Sequence, residues 1–208
     1  MTILALEFSS AQRSVALARG GVLLAEASET GGRGTEAFAL IEKILAPAKI
    51  AREEIQAIAV GLGPGSYTGI RAAIAVAQGW QLARGIKLLG ISSVEALAAE
   101  AQARKIFGRV NVVVDAQRGE FYRARWEISA ASRIEISPLK IVAAAEMAAL
   151  ANAGEICVGP DAATVLWPRA ARLAELAAGR TDFVAGESLQ PIYLRETSFV
   201  KAAPGRVF

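Results

Sequence analysis

Between Arg71 and Arg84 the chain runs through twelve residues, AAIAVAQGWQLA, without a single charge. That is too short to span a bilayer, which needs about 20 apolar residues in a helix. It is also apolar on more than one side. Ile70, Ile74, Ala77 and Gln81 share one helical face, while Ala73, Val76 and Trp80 share another. A surface helix needs only one buried stripe. One face is therefore expected to lie on a sheet and the other under a neighbouring helix, from this chain or another.

The flanks define the unit to which this helix belongs. Ala57 to Leu62 reads as a short buried strand that ends in Gly61, Gly63, Pro64 and Gly65, the composition of a tight turn. Ser66 and Thr68 can each turn a hydroxyl onto the free amides of a new helix, which places its start near Thr68. Lys87 to Ile91 reads as the next strand, parallel to the first if the two share a sheet, by the right-handed crossover rule. Glycines ahead of a helix can cradle a phosphate. Here the Gly-Lys-Ser/Thr ending of a P-loop is missing, the spacing is not that of a dinucleotide fingerprint, and Pro64 removes a donor. A bend is the simpler reading, and Arg71 is free to pair with an anion or a carboxylate.

Ahead of this unit, Thr2–Phe8, Arg13–Arg19 and Val22–Glu29 read as three strands joined by turns too short for anything but an antiparallel meander. A helix is expected from Thr35, its cap, to about Ala46. Another follows at Ser93–Ala103. The second half repeats the scheme in shortened form, with strands at Val110–Ala116, Glu120–Ile128 and Ile134–Val142 and a helix near Ala144–Ala151. A strand at Ile156–Gly159 and a helix from about Ala162 to Ala177, interrupted by Pro168, complete it. The order is α/β with a mixed sheet. The expected lobes are 1–104 and 105–189, with a tail, 190–208, returning to the first through the apolar PIYL and FV.

The stretch GLGPGSYTGIRAAIAVAQGWQLARGIKLLGISSVEALA closely resembles the signature of the bacterial TsaB family, also called YeaZ. ILALEFSSAQRSVAL at 3–17, DAQRGEFYRARW at 115–126 and PIYLRETSFVK at 191–201 extend the resemblance over nearly the whole chain. It implies two ribonuclease H-like lobes of the actin, Hsp70 and sugar-kinase (ASKHA) superfamily, the second shortened. The turn formed by Gly61, Gly63, Pro64, Gly65, Ser66, Thr68 and Gly69 carries the family signature. The resemblance also implies a non-catalytic scaffold without a cofactor, which pairs with TsaD and is joined by the ATPase TsaE. Together they form N6-threonylcarbamoyladenosine beside the anticodon of tRNAs reading codons that begin with adenine, with tRNA met only in the complex. The expected partner face comprises Thr35, Glu36, Leu40, Ile44, Ile70, Arg71, Ile74, Gln78 and Gln81, and a second copy of the chain can take the partner's place. TsaD carries two metal-binding histidines on a helix. The matching helix here, TEAFALIEKIL, has none, and Thr35-Glu36 departs from the histidine and serine usual before this glutamate in TsaB.

The residues themselves limit the chemistry. There is no histidine and one cysteine in 208 residues. An ordinary zinc site and a Ser/His or Cys/His nucleophile pair are both excluded, which argues against a peptidase. No metal site or catalytic residue is expected. Glu7, Asp115 and Glu120 are the carboxylates nearest a cleft, read here as caps of turns. A degenerate ATPase or kinase is the alternative, but its phosphate cradle is poorly matched. The net charge is +3 with dispersed arginines, whereas a nucleic-acid binder is expected to concentrate them. The densest group, Arg118, Arg123 and Arg125 among Phe121, Tyr122 and Trp126, alternates as one solvated and one buried strand face. Cys157, in EICVG, reads as core. A first strand that meets Glu7 at once is no signal peptide, so the expected location is the cytoplasm, with no membrane contact.

Overall fold

The computed structural model describes residues 1–30 and 36–194. The first lobe contains β1 (Thr2–Glu7), β2 (Gln12–Arg19), β3 (Val22–Thr30), α1 (Ala37–Ala48), β4 (Ala57–Gly61), α2 (Tyr67–Arg84), β5 (Lys87–Ile91) and α3 (Ser93–Ala103). Its sheet has the order β3-β2-β1-β4-β5. The meander is antiparallel, and β1, β4 and β5 are parallel.

Strand alternation divides the side chains of this sheet between two layers. Leu4, Leu6, Val15, Leu17, Ile58 and Val60 meet α1 and α2 on one face. On the other face Ala5, Ala16, Ala18 and Ala59 are small, so a helix can approach closely. The helix that does so comes from the far end of the chain.

The second lobe follows with β6 (Gly108–Asp115), β7 (Glu120–Ile128), β8 (Arg133–Ala143), α4 (Ala144–Asn152), β9 (Ile156–Gly159), β10 (Thr164–Val165) and α5 (Ala170–Ala177). Its order, β10-β9-β6-β7-β8, repeats the first sheet, with an antiparallel meander and parallel β6, β9 and β10. These are the two ribonuclease H-like lobes expected from the sequence.

The expected helix over 162–177 is corrected. Residues before Pro168 extend the second sheet as β10, and α5 starts only at Ala170. Arg169 is extended, and the first amides of α5 are satisfied by distant side chains: Ala170 donates to Ser14 Oγ at 2.8 Å and Ala171 to Glu26 Oε1 at 3.0 Å. Proline blocks the helix, and β2 and β3 supply its caps. Ala170, Leu173, Ala174 and Ala177 then fill the alanine face of the first sheet.

Helix α3 lies between the lobes. Ala96 joins the first core, while Val94, Leu97, Ala98 and Ala101 join the core of the second sheet. Glu100 on this helix is 2% exposed, paired with Arg104 at 2.9 Å and Arg172 at 3.5 Å. The segment after α5 returns to the first lobe, where Leu189 enters its core and Ile192 donates its amide to the Leu62 carbonyl at 2.8 Å. Phe199 and Val200, expected to pack there too, lie outside the described residues, as does Thr35, the expected cap of α1.

Candidate functional site: the inter-lobe cleft and the outer face of α2

The glycine-rich turn between β4 and α2 is shaped by neighbouring chain. A Cβ on Gly61 would stand 2.1 Å from Glu7 Oε2, and one on Gly65 2.0 Å from the Ser9 carbonyl. Only glycine allows such approaches. The amides are engaged as well: Gly63 donates to Ser93 Oγ at 3.0 Å and Ser66 to the Ser9 carbonyl at 2.6 Å. Ser66 also caps α2, accepting from the Gly69 amide at 3.3 Å, so the helix starts one residue before Thr68. The turn is a docking point for the β1–β2 loop.

Glu7 is fully buried at the centre of this arrangement. It accepts from the Ser9 amide and from Ser93 Oγ, each at 2.8 Å. Burial pushes its carboxyl above the ordinary range, and the bonds from Ser9 and Ser93 oppose that rise. Its role is to join the end of β1 to the start of α3. Asp115 accepts from the Gln117 amide at 2.8 Å and from its side-chain amide at 2.7 Å, holding the β6–β7 turn. In the same turn the Ala116 amide donates to the Glu120 carbonyl at 2.9 Å.

Between the lobes lies a cleft of about 430 Å³, lined chiefly by Ser9, Ser10, Tyr67, Asp115, Tyr122 and Tyr193. Among the described residues, no lysine or arginine lines it. Hydroxyls and one carboxylate offer little to a polyphosphate, whose charge calls for cations or a row of free amides.

The arginines of β7 are already paired. Arg123 is 7% exposed, donates to Asn111 Oδ1 at 3.1 Å and pairs with Glu146. Arg125 reaches Glu155 at 2.8 Å. The face expected to be solvated is thus covered by α4 and the start of β9, while Tyr122 and Ala124 fill the opposite core. Arg118 is exposed, with a left-handed φ of 61°. Burial of Cys157, followed by the nearby Glu155 charge, pushes its thiol pKa up.

The residues of the expected partner face fall into two groups. Leu40, Ile44, Ile70 and Ile74 are 1%, 2%, 0% and 6% exposed, packed into the first-lobe core. They fill the space between helices and sheet, and a charge there threatens the fold itself. Gln78 donates to the Gly186 carbonyl at 2.8 Å and Gln81 accepts from its amide at 2.7 Å, so both fasten α2 to the returning segment. Glu36 and Arg71 are exposed.

What α2 turns outward is Arg71, Ala75, Gly79, Leu82 and Ala83, with Leu82 92% exposed. On neighbouring α1, Phe38 is 55% exposed. Arg71 apart, these residues are absent from the expected face, which is drawn through the larger apolar side chains of each helix. The available signal was the spacing of small residues, Ala75, Gly79 and Ala83, four apart on one helical stripe.

The fold and the cleft define a two-lobed protein built from a pair of ribonuclease H-like sheets with a cleft between them. The sequence model of the family described as "TsaD: tRNA N6-adenosine threonylcarbamoyltransferase" matches residues 4–183, and the chain belongs to that family, grouping within it with TsaB, or YeaZ. It is 32% identical over 128 residues to the "tRNA threonylcarbamoyladenosine biosynthesis protein TsaB" of Escherichia coli strain K12, covering 61% of this chain and 55% of that protein. To the protein of that name in Bacillus subtilis strain 168 it is 30% identical over 129 residues, covering 61% and 56%. The chain thus spans little more than half the length of these curated relatives. The solved structure "YeaZ from Pseudomonas aeruginosa" superposes with a TM-score of 0.79 at 26% identity, covering 93% of this chain and 99% of that one. Among the described residues no helix is long and apolar enough to cross a membrane.

Proposed function

We propose that this chain is a non-catalytic scaffold subunit in the formation of N6-threonylcarbamoyladenosine on tRNA, acting in the cytoplasm. In this reading it pairs with TsaD, the pair recruits TsaE, and tRNA is met only in the assembly. The single observation that carries it is the outer face of α2, where an exposed Leu82 stands beside Ala75, Gly79 and Ala83 with no charge between Arg71 and Arg84. Small residues let a partner helix approach, and burying a leucine contributes about 1.5–3 kcal/mol. The names of the TsaB relatives supply the pathway. The same reading places the lobe boundary between Arg104 and Lys105, with α5 and residues 190–194 returning across it. Without TsaD, the same face suits a second copy of the chain.

The cleft disfavours the alternative of an ATPase or kinase, since among the described residues its lining is uncharged apart from Asp115 and the turn amides of Gly63 and Ser66 are engaged. A peptidase has no histidine to use. Direct tRNA binding through β7 would require arginines that are tied to Asn111, Glu146 and Glu155. The test is reconstitution with cognate TsaD, TsaE, tRNA and threonylcarbamoyl adenylate. Modified tRNA is expected only when the chain is present together with TsaD, and none from the chain alone. Modification by the chain alone, or full activity without it, would overturn the proposal.

A further inference from the structure

Beside the exposed face of α2 runs a groove of about 440 Å³, formed by the helix and the returning segment and lined by Arg71, Ile74, Ala75, Gln78, Pro191 and Tyr193, among others. Its lining is mixed, with Ile74, Ala75 and Pro191 beside Gln78 and Gln190. Its one cation among the described residues, Arg71, is held against an aromatic pair. Arg71 Nη1 donates to the Tyr67 hydroxyl at 2.9 Å, its guanidinium lies 5.3 Å from the centre of the Tyr67 ring, and that ring stacks on Tyr193 at 5.5 Å. Among the described residues, no carboxylate comes within ion-pair distance of Arg71, whereas at the other end of α2 Arg84 pairs with Glu53 and Arg52 with Glu42.

A guanidinium carries five donors in a planar fork suited to a carboxylate. Here one is engaged by a phenol, and two stacked rings limit the side chain's freedom before any partner arrives. Pre-ordering of this kind lowers the entropy cost of binding, and arginine beside aromatic rings is typical of interface positions that dominate affinity.

We infer that the partner of α2 places a carboxylate against Arg71 and a neighbouring apolar side chain in the groove floored by Ile74. The inference rests on the scaffold reading above and deepens it: the occupant is an acidic, apolar-flanked segment of TsaD. Charge complementarity selects it, because among the described residues the groove holds a cation without a counter-charge.

The test measures binding of full-length cognate TsaD by calorimetry, with Arg71→Glu, Arg71→Gln and Leu82→Glu in parallel. Arg71 and Leu82 are both solvent-facing, so thermal melts of the three variants are expected to match the parent. Arg71→Glu should weaken binding at least tenfold and Arg71→Gln less. The parental complex should weaken with added salt more than the Arg71→Gln complex does. Reversing the partner carboxylate found by zero-length cross-linking should restore affinity to Arg71→Glu. Unchanged affinity for Arg71→Glu, with binding lost on Leu82→Glu, overturns this inference and leaves the scaffold face standing. Unchanged affinity for both overturns the face as well. Loss of self-association alone, with TsaD affinity kept, overturns the acidic TsaD occupant in favour of a second copy.

Discussion

Gly61→Ala is the substitution whose cost can be worked most closely from the structure. The new methyl carbon would stand 2.1 Å from Oε2, 2.6 Å from Cδ and 2.9 Å from Oε1 of Glu7. The carboxylate has no room to yield, because it is fully buried and fixed by the Ser9 amide and Ser93 Oγ at 2.8 Å. Either the strands separate, at about 1–3 kcal/mol for an overpacked core, or the carboxylate swings away. The second route leaves buried polar groups unpaired, at about 1–3 kcal/mol each. Whichever route is cheaper sets the cost, so a loss of about 1–3 kcal/mol is expected. Gly79→Ala is the control: no atom lies within 4 Å of its added carbon, and removing a mid-helix glycine should stabilise by about 0.5–1 kcal/mol. Urea unfolding followed by tryptophan fluorescence measures both. In a Glu7→Ala background the clash disappears, so Gly61→Ala should there cost less than about 1 kcal/mol, a coupling that a double-mutant cycle isolates. Equal costs in the two backgrounds would refute the reasoning.

Three further outcomes concern Glu7, the cleft and Cys157. Because burial raises the folded-state pKa of Glu7 above its ordinary value of 4.5, the group's contribution is fully present below the unfolded pKa and is lost as pH rises through the folded one. Glu7→Gln should therefore gain stability relative to the parent as pH climbs above 4.5, and parallel stability curves over that window would contradict the assignment. Calorimetry of the chain alone with ATP and magnesium should show no binding heat and no phosphate release, given a cleft that no lysine or arginine lines among the described residues; turnover would revive the ATPase alternative. Cys157, whose thiol is held up in pKa by burial, should react with a thiol reagent far more slowly in the folded chain than in urea, and equal rates would mean that the β9 strand is open.

Much of the architecture was legible because strand and helix periods leave a direct trace. The short turns at Ser9-Ser10 and Gly20-Gly21 required a meander, and Gly61 to Ser66 required a strand to become a helix. What periodicity cannot say is which apolar stripe of a helix meets its own sheet. On α2 the β-branched Ile70 and Ile74 fill the gap to the sheet, while Ala75, Gly79 and Leu82 face out. Both stripes read alike as one-dimensional pattern. Long-range capping was equally invisible: Ser14 and Glu26 fix the start of α5 from more than 140 residues away. The arginines of β7 looked available because Asn111, Glu146 and Glu155 lie on other elements. The crowding of Gly61 by Glu7 likewise exists only once β1 and β4 are paired.

The pairing face of α2 is tested most directly by titrating cognate TsaD with the parent chain and with Leu82→Glu. Leu82 is 92% exposed, so the change should leave folding stability within about 0.5 kcal/mol. Losing the burial of one leucine, about 1.5–3 kcal/mol, corresponds to a dissociation constant at least about tenfold higher, and desolvating the new charge adds to that. The account predicts a tight complex for the parent and weak or absent binding for the variant, with identical melting curves. Equal affinity for both would contradict it.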